Sequence, residues 1–255
     1  MVSKNYFSHA SAAERYAKFR PYFHPLVIER LVRFTDCAKF ESALDVACGT
    51  GQSTQALAEV AERVVAVDNS RSMLALALPL PNVVYLQAEA EALPFPGEAF
   101  ELITVGKAFH WFDQDGFLRE ANRVLKPGGW LFIYNNVFIG GMKECAELKS
   151  WVEKSYLAKY ATTPRARKKL TEAYAGEFGF ELAGRDNFFN DVTMTPEQLV
   201  GFFLSQSNVI ATVEQGSETV AEVASWIEHD IRPFFKQPTG TMQFGSDVWY
   251  LRKKG

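Results

Sequence analysis

The sequence predicts an α/β fold in which a doubly wound, mostly parallel sheet lies between two layers of helices. Apolar segments of strand length alternate with helix-like segments between residues 42 and 134, and such alternation is typical of βαβ units. The strands are apolar almost throughout, as expected when both faces of a parallel sheet are buried. A glycine turn joins the first strand to the helix that follows it. In sheets of this kind, ligands bind beyond the carboxyl ends of the strands.

The predicted elements follow one another over most of the chain. After a polar and aromatic opening segment, residues 1–22, a helix is predicted at Pro25–Cys37, because its apolar residues recur at helical spacing. Seven strands are predicted, at Ser42–Val46, Val64–Val67, Val83–Gln87, Leu102–Val105 and Trp130–Tyr134, within Phe180–Met194, and at Thr241–Leu251. Further helices are predicted at Gln52–Glu62, near Ser72–Leu74, at Gly116–Val124, from the capping sequence at Thr195, and at Val220–Phe235.

A helix-rich region, Phe138–Tyr174, interrupts the alternation after the fifth predicted strand. We interpret it as an inserted helical lid; an elongated crossover helix is the alternative. Its basic run, Arg165–Lys169, is interpreted as a solvated helix face.

Composition excludes several classes of protein. The net charge of −3 argues against nucleic acid as a partner, because binding phosphates needs a concentrated basic surface. No apolar run approaches the roughly 20 residues of a membrane span, and the first residues lack the apolar core of a signal peptide. The three cysteines form no C-x-x-C pair and no cluster has metal-ligand spacing. We therefore expect a cytoplasmic protein without a metal.

The turn after the first strand, Asp45–Gly51, is suited to a nucleoside ligand. Gly49 and Gly51 allow the backbone to approach a ligand where a Cβ would collide with it. Asp68, at the tip of the second strand, can accept hydrogen bonds from both hydroxyls of a ribose.

The details of this turn favour S-adenosylmethionine over NAD. A dinucleotide turn has a third glycine, three residues after the second, and this position is Thr54. Asp45 would repel a pyrophosphate, whereas its carboxylate suits an ammonium or sulfonium charge.

The motif resembles that of the class I S-adenosylmethionine-dependent methyltransferases, and three later segments match the family in order and spacing. They are Val67–Ser70, Glu89–Phe95 and Arg123–Gly129. The resemblance covers roughly residues 10–135 and implies a Rossmann-like sheet of seven strands, mostly parallel with an antiparallel last strand. Ala47 replaces the family's usual first glycine, and Glu89 replaces its usual aspartate.

The resemblance implies a cofactor role for individual residues. Gly49 and Gly51 would pass close to the methionine moiety, and Asp45 would hold its ammonium group directly or through water. Asp68 would bind the ribose hydroxyls. The other residues given a cofactor-binding role are Arg20, in a segment that folds over the cofactor, Ala47 in the turn, Asn69 and Met73 beside the adenine, Ala88 and Glu89 at its amino group, and Gly106 at the ammonium group.

The same resemblance suggests one domain, residues 1–255, in four parts. Residues 1–40 form an N-terminal cover segment and helix, 41–135 the cofactor-binding core, 136–178 the helical lid, and 179–255 the strands and helices that complete the sheet.

The segment Gly106–Asp113 is similar to one in a small-molecule subgroup that includes trans-aconitate-methyltransferase-like proteins, and the Arg20 segment resembles one in the subgroup related to ubiquinone-biosynthesis enzymes. His110 could act as a general base, since an ordinary histidine pKa lies near neutral pH, or it could simply wall the pocket with Trp111. Further candidates for an acceptor pocket, by position alone, are Tyr134, Asn135, Asn136, Trp151, Tyr156 and Tyr160.

These observations predict methyl transfer from S-adenosylmethionine to an oxygen, nitrogen or carbon of a small metabolite, with S-adenosylhomocysteine as the product. The alternatives are a nucleic-acid or protein methyltransferase, for which only Arg165–Lys169 hints at a basic groove, a non-catalytic S-adenosylmethionine-binding protein, and an NAD enzyme. The sequence does not indicate the oligomeric state.

Overall fold

The computed structural model describes residues 7–162 and 168–255. Its centre is one seven-stranded sheet with the order β3-β2-β1-β4-β5-β7-β6. The strands are β1 (Phe40–Val46), β2 (Ala61–Asp68), β3 (Val83–Gln87), β4 (Phe100–Gly106), β5 (Leu125–Met142), β6 (Phe180–Met194) and β7 (Gly240–Lys253). The first five strands are parallel to one another, and β7 is antiparallel to both β5 and β6. This confirms the predicted fold class.

Helices cover both faces of the sheet and its carboxyl-end edge. They are α1 (Ala10–Phe19), α2 (His24–Thr35), α3 (Gln52–Ala58), α4 (Arg71–Leu74), α5 (Gln114–Val124), α6 (Glu147–Trp151), α7 (Leu157–Lys159), α8 (Glu172–Gly176), α9 (Pro196–Leu204), α10 (Ser207–Glu214) and α11 (Val220–Ile231). Helices α1 and α10 were missed by the sequence analysis, which left their segments without regular structure. A π-helical turn, Val152–Tyr156, joins α6 to α7.

The predicted helical lid begins with strand rather than helix. β5 continues to Met142, and β7 pairs with it as far as this residue. Val137, Phe138 and Ile139 have strong strand propensity, and the long β7 supplies the hydrogen bonds that keep them extended. The helical part of the region therefore starts at α6. Arg165, Ala166 and Arg167 of the basic run lie outside the described residues.

The helices at the carboxyl end form a core of their own. Trp151, Tyr156 and Phe203 pack with Met242 and Phe244 in a buried apolar cluster. The elements α6, α9 and α11 thereby lie against the extended part of β5 and β7. This second core forms one wall over the carboxyl ends of the parallel strands.

Helix α1 is fixed in place by close packing on α9. A Cβ on the buried Gly201 of α9 would lie 2.2 Å from a ring carbon of Phe19 at the end of α1. Glycine is needed here because the Phe19 ring fills the space that a methyl group would occupy.

A buried carboxylate holds the glycine turn to the sheet. Asp45 is fully buried, and it accepts hydrogen bonds from the hydroxyls of Ser53 (2.6 Å), Thr54 (2.7 Å) and Thr104 (2.9 Å). Burial raises the pKa of Asp45 to about 6, although these hydrogen bonds oppose the rise. One side chain thus ties the end of β1 to the start of α3 and to β4.

We expect Gly201→Ala to destabilise the fold by about 1–3 kcal/mol, because the added methyl overpacks the contact with Phe19. This outweighs the roughly 1 kcal/mol by which alanine favours a helix over glycine. Gly176→Ala is the matched control, since nothing lies within 4 Å of its Cβ position. Urea unfolding would measure both, and equal midpoints would contradict the packing argument.

We expect Asp45→Asn to change how the free energy of unfolding depends on pH. Because the folded-state pKa is raised, Asp45 contributes stability that is fully present below about pH 4 and is lost as the pH rises through about 6. The loss reaches about 3 kcal/mol, at about 1.4 kcal/mol per pKa unit. Over this interval the wild-type protein should lose stability relative to Asp45→Asn in urea titrations. Parallel curves would show that the carboxyl is not perturbed.

Candidate functional site

A cavity of about 540 Å³ opens at the carboxyl ends of the parallel strands. Its walls come from the turn after β1, the ends of β2, β4 and β5, helix α1, the π-helical turn and the segment that joins α9 to α10. This is the edge at which sheets of this topology bind ligands.

The turn after β1 lines the cavity with backbone. Ala47 and Gly49 both have a φ of 57°, in the left-handed region, and both face the cavity with Cys48 and Thr50. A Cβ at Gly49 would lie 3.1 Å from the terminal methyl of Met73, which also lines the cavity. The predicted close approach at Gly49 therefore has a geometric basis.

Gly51 differs from the prediction, because an added Cβ at this position would point away from the cavity. With a φ of 80°, it turns toward Tyr85, whose hydroxyl would lie 2.8 Å from an added Cβ. Gly51 is not part of the cavity wall and serves the packing of the turn instead.

Asp68 presents a carboxylate to the cavity from the end of β2. Its Oδ2 accepts a hydrogen bond from the Gly49 N–H, and its Oδ1 accepts one from the Ser70 N–H, both at 2.8 Å. These bonds orient the carboxylate, and burial raises its pKa. Each oxygen retains a lone pair that could accept a hydrogen bond from a hydroxyl of a ligand.

The remaining predicted nucleoside contacts lie beside Asp68. The Asn69 amide donates to Glu89 at 3.1 Å, and both residues line the cavity together with Ala88. The Ala88 N–H donates to the Asp68 carbonyl at 3.2 Å. This amide is already used within the protein, so Ala88 contributes to the wall but offers no free donor, contrary to the expectation that it would bind the adenine.

Asp45 also differs from its predicted role. It lies beneath the turn and is not part of the cavity wall. Since its oxygens are taken up by three hydroxyls, the structure does not support a direct contact with a ligand. Its charge acts on the site from below.

Two aromatic residues predicted to line an acceptor pocket belong to the packed interior. Tyr134 is 1% exposed and its hydroxyl lies 2.9 Å from Nδ1 of His24. An added Cβ on Gly106 would lie 2.7 Å from that hydroxyl, so Tyr134 is beneath the Gly106 position. Trp151 packs against Phe203 and donates from Nε1 to Asp230 at 2.8 Å. Neither side chain lines the cavity.

Other predicted residues do meet at the cavity. Gly106, His110, Trp111, Asn135 and Tyr156 all line it. His110 and Trp111 form a short 3-10 turn after β4, and their rings are 5.3 Å apart. Tyr156 comes from the π-helical turn on the opposite side, where its hydroxyl donates to Asn208 at 3.2 Å.

Further polar groups line the cavity. Arg20 and Asn136 were predicted, whereas His24, Thr50, Lys107, Gln206 and Asn208 were given no role by the sequence analysis. Thr50 and Asn136 are almost fully buried, and Oγ1 of Thr50 and Oδ1 of Asn136 have no hydrogen-bond partner within residues 7–162 and 168–255. Buried polar atoms are rarely left unpaired, and these two, in residues of the cavity wall, are satisfied if a polar ligand occupies the cavity. Of these five, Thr50 and Lys107 carried a sequence signal, through their places in the glycine turn and beside His110.

Among the described residues there is no group of three or more His, Cys, Asp or Glu side chains able to hold a metal. The helices in the described ranges are also too short or too polar to cross a membrane.

Comparison with known proteins agrees with this geometry. A methyltransferase-domain family matches residues 44–133, from β1 to β5. A putative methyltransferase of Dictyostelium discoideum is 28% identical over 82% of this chain and 80% of its own length. The ubiquinone/menaquinone biosynthesis C-methyltransferase of Escherichia coli is 39% identical over 40% of this chain.

The match to the Escherichia coli enzyme spans 46% of that protein, so the chain aligns with less than half of its length. Among solved structures, a putative type II methyltransferase from Anaeromyxobacter dehalogenans has the same fold, with a TM-score of 0.68, 24% identity, and coverage of 92% of this chain and 98% of that one. Residues 44–133, which include the glycine turn and run from β1 into β5, are thus similar in sequence to a methyltransferase domain, and the sheet as a whole shares its fold with a solved structure of 24% identity.

Proposed function

We propose that this protein transfers the methyl group of S-adenosylmethionine to an oxygen, nitrogen or carbon atom of a small metabolite. The observation that carries the proposal is that one cavity is lined by groups of both charges. Asp68 and Glu89 come from the ends of β2 and β3, and Arg20 and Lys107 come from the segments that follow α1 and β4. A cofactor with a hydroxyl-rich nucleoside at one end and a carboxylate at the other matches this distribution.

The residues present fit such a cofactor. Gly49 has no Cβ, so a ligand can approach its backbone closely. An added Cβ would press on the terminal methyl of Met73. Arg20 is half-buried, and its buried Nε, which has no partner among the described residues, could donate to a carboxylate. The Thr50 hydroxyl follows Gly49 in sequence and likewise has no partner in the described part of the chain. S-adenosylmethionine would supply a sulfonium methyl open to in-line displacement.

The protein's own contribution to the reaction is to position the acceptor and to exclude water. Trp111, Val137 and Phe138 provide apolar wall beside the 3-10 turn, and Tyr156 with Phe203 provides it on the opposite side. His110 lies in the wall at the end of β4, where it could take a proton from a hydroxyl or amine nucleophile. A carboxylate acceptor would need no such base.

The cavity favours a small acceptor over a macromolecule. Its volume of about 540 Å³ lies within the ordinary range for small-molecule sites. Calorimetric titration with S-adenosylmethionine, S-adenosylhomocysteine and NAD tests the cofactor. Mass spectrometry of a metabolite extract, searched for products that gain one methyl group, tests the acceptor. Binding of NAD without either sulfur ligand would contradict the proposal.

We expect Asp68→Ala to weaken S-adenosylmethionine binding by about 1–3 kcal/mol, through lost hydrogen bonds to a buried carboxylate. This corresponds to a rise of about 5- to 150-fold in the dissociation constant. Asp191→Ala, at an exposed carboxylate of β6 that pairs with Lys143, is the matched control and should leave the constant unchanged. Equal affinities for the two variants would remove Asp68 from the site.

We expect His110→Ala to show whether His110 acts as a general base or only lines the pocket. If His110 takes a proton, the variant should keep S-adenosylmethionine affinity within a few-fold and lose about 100-fold or more in turnover. Calorimetry and transfer of a labelled methyl group would measure the two quantities. A large loss of affinity, with turnover at saturation preserved, would instead assign His110 to the wall.

A further inference from the structure

Two cations, Arg20 and Lys107, line the cavity, and neither pairs with a carboxylate in the described part of the chain. Arg20 follows helix α1, and its Nη2 donates to the Ser205 carbonyl at 2.7 Å and to the Gln206 side chain at 3.3 Å. Both partners are neutral. The guanidinium also stacks near the rings of Tyr16 and Phe202, so the packing fixes its position without compensating its charge.

Lys107 is the second cation, directly after β4. Its backbone N–H donates to the Tyr134 carbonyl at 2.8 Å, and its φ is 58°. A side chain other than glycine is strained in this left-handed region, and such strain is concentrated at functional sites. Its ammonium lies 5.7 Å from the centre of the Phe23 ring. Burial, and then the charge of Arg20, hold the pKa of Lys107 well below its ordinary value.

The neighbouring groups do not compensate the two charges. Across residues 7–162 and 168–255, neither cation forms an ion pair. The nearby imidazole of His24 is neutral at physiological pH, because burial and then Lys107 lower its pKa to about 3. The carboxylates that line the cavity, Asp68, Glu89 and Glu91, come from the ends of β2 and β3. Burying a cation without an anion costs several kcal/mol, so a bound anion at each cation would stabilise this arrangement.

S-adenosylmethionine supplies one carboxylate, whereas the cavity holds two uncompensated cations. We propose that Lys107 determines acceptor specificity by binding an anionic group of the methyl acceptor, a carboxylate or a phosphate, while Arg20 binds the cofactor carboxylate. The proposal rests on the proposed function. Lys107 belongs to the same segment as His110 and Trp111, which form the wall where the acceptor is expected. Arg20 extends instead from α1, whose Tyr16 packs behind its guanidinium.

The experiment uses the full chain saturated with S-adenosylhomocysteine. Acetate, inorganic phosphate and the neutral acetamide are titrated at constant ionic strength, and the amide NMR signals of residues 106–111 are followed. Lys107→Met removes the charge at similar length, Lys107→Arg retains it, and Lys149→Met is the matched control at an exposed lysine of α6. Calorimetry gives the S-adenosylhomocysteine dissociation constant of each variant.

We expect the wild-type complex to bind acetate or phosphate, in the millimolar range typical of such small ions, and not acetamide. Which anion binds more tightly separates a carboxylate from a phosphate acceptor. Lys107→Met should weaken anion binding about tenfold or more, with S-adenosylhomocysteine affinity changed less than threefold. Lys107→Arg should retain anion binding, and Lys149→Met should behave as the wild type.

Three results would overturn the assignment of Lys107. They are equal binding of the anion by Lys107→Met, a large loss of S-adenosylhomocysteine affinity in that variant, and no binding of either anion to the wild-type complex at tens of millimolar. Failure of the wild-type chain to bind S-adenosylhomocysteine at all would count against the proposed function itself.

Discussion

The geometry of the cavity depends on the burial of one carboxyl group, Asp45. Taking a carboxyl out of water is costly unless its oxygens are hydrogen-bonded, and the hydroxyls of Ser53, Thr54 and Thr104 meet this need. Two of the donors come from α3 and one comes from β4, so the hydrogen bonds to Asp45 also fix the turn between β1 and α3. Ala47 and Gly49 can then hold their left-handed conformations at the cavity. Asp68, anchored by the Gly49 amide, is positioned in turn.

Several of the residues predicted to bind the cofactor line one cavity, because they lie in short contiguous segments. Gly49, Asp68, Asn69 and Glu89 each follow a strand whose neighbours in the sheet are set by topology. The spacing of residues along the chain is then enough to bring them together. Predicting these residues therefore needed no knowledge of contacts between distant parts of the chain.

The meeting of the two cations could not be predicted in the same way, although Arg20 itself was predicted to line the site. Arg20, Lys107 and Gln206 come from three distant parts of the chain, and they meet only because α1 packs on α9 across the sheet edge. The position of α1 depends on Gly201 and Phe19, a contact that leaves no pattern in either local sequence. Tyr134 and Trp151 were wrongly predicted to line the cavity. From the sequence alone, an aromatic residue in this region can face either a pocket or the core. The Tyr134 hydroxyl lies beside His24 and the Trp151 indole donates to Asp230, so both side chains are held in the core.

The π-helical turn at Val152–Tyr156 has a consequence for how this fold can diversify. A π turn holds one residue more than an α turn and is often found at functional sites. Removing that residue would restore α-helical periodicity and rotate the downstream side chains by about 100°. Tyr156 would then leave the cavity wall, while the glycine turn across the cavity would keep its geometry. A gain or loss of one codon could therefore remodel the Tyr156 wall of the cavity and spare the glycine turn, so that the two walls can evolve separately.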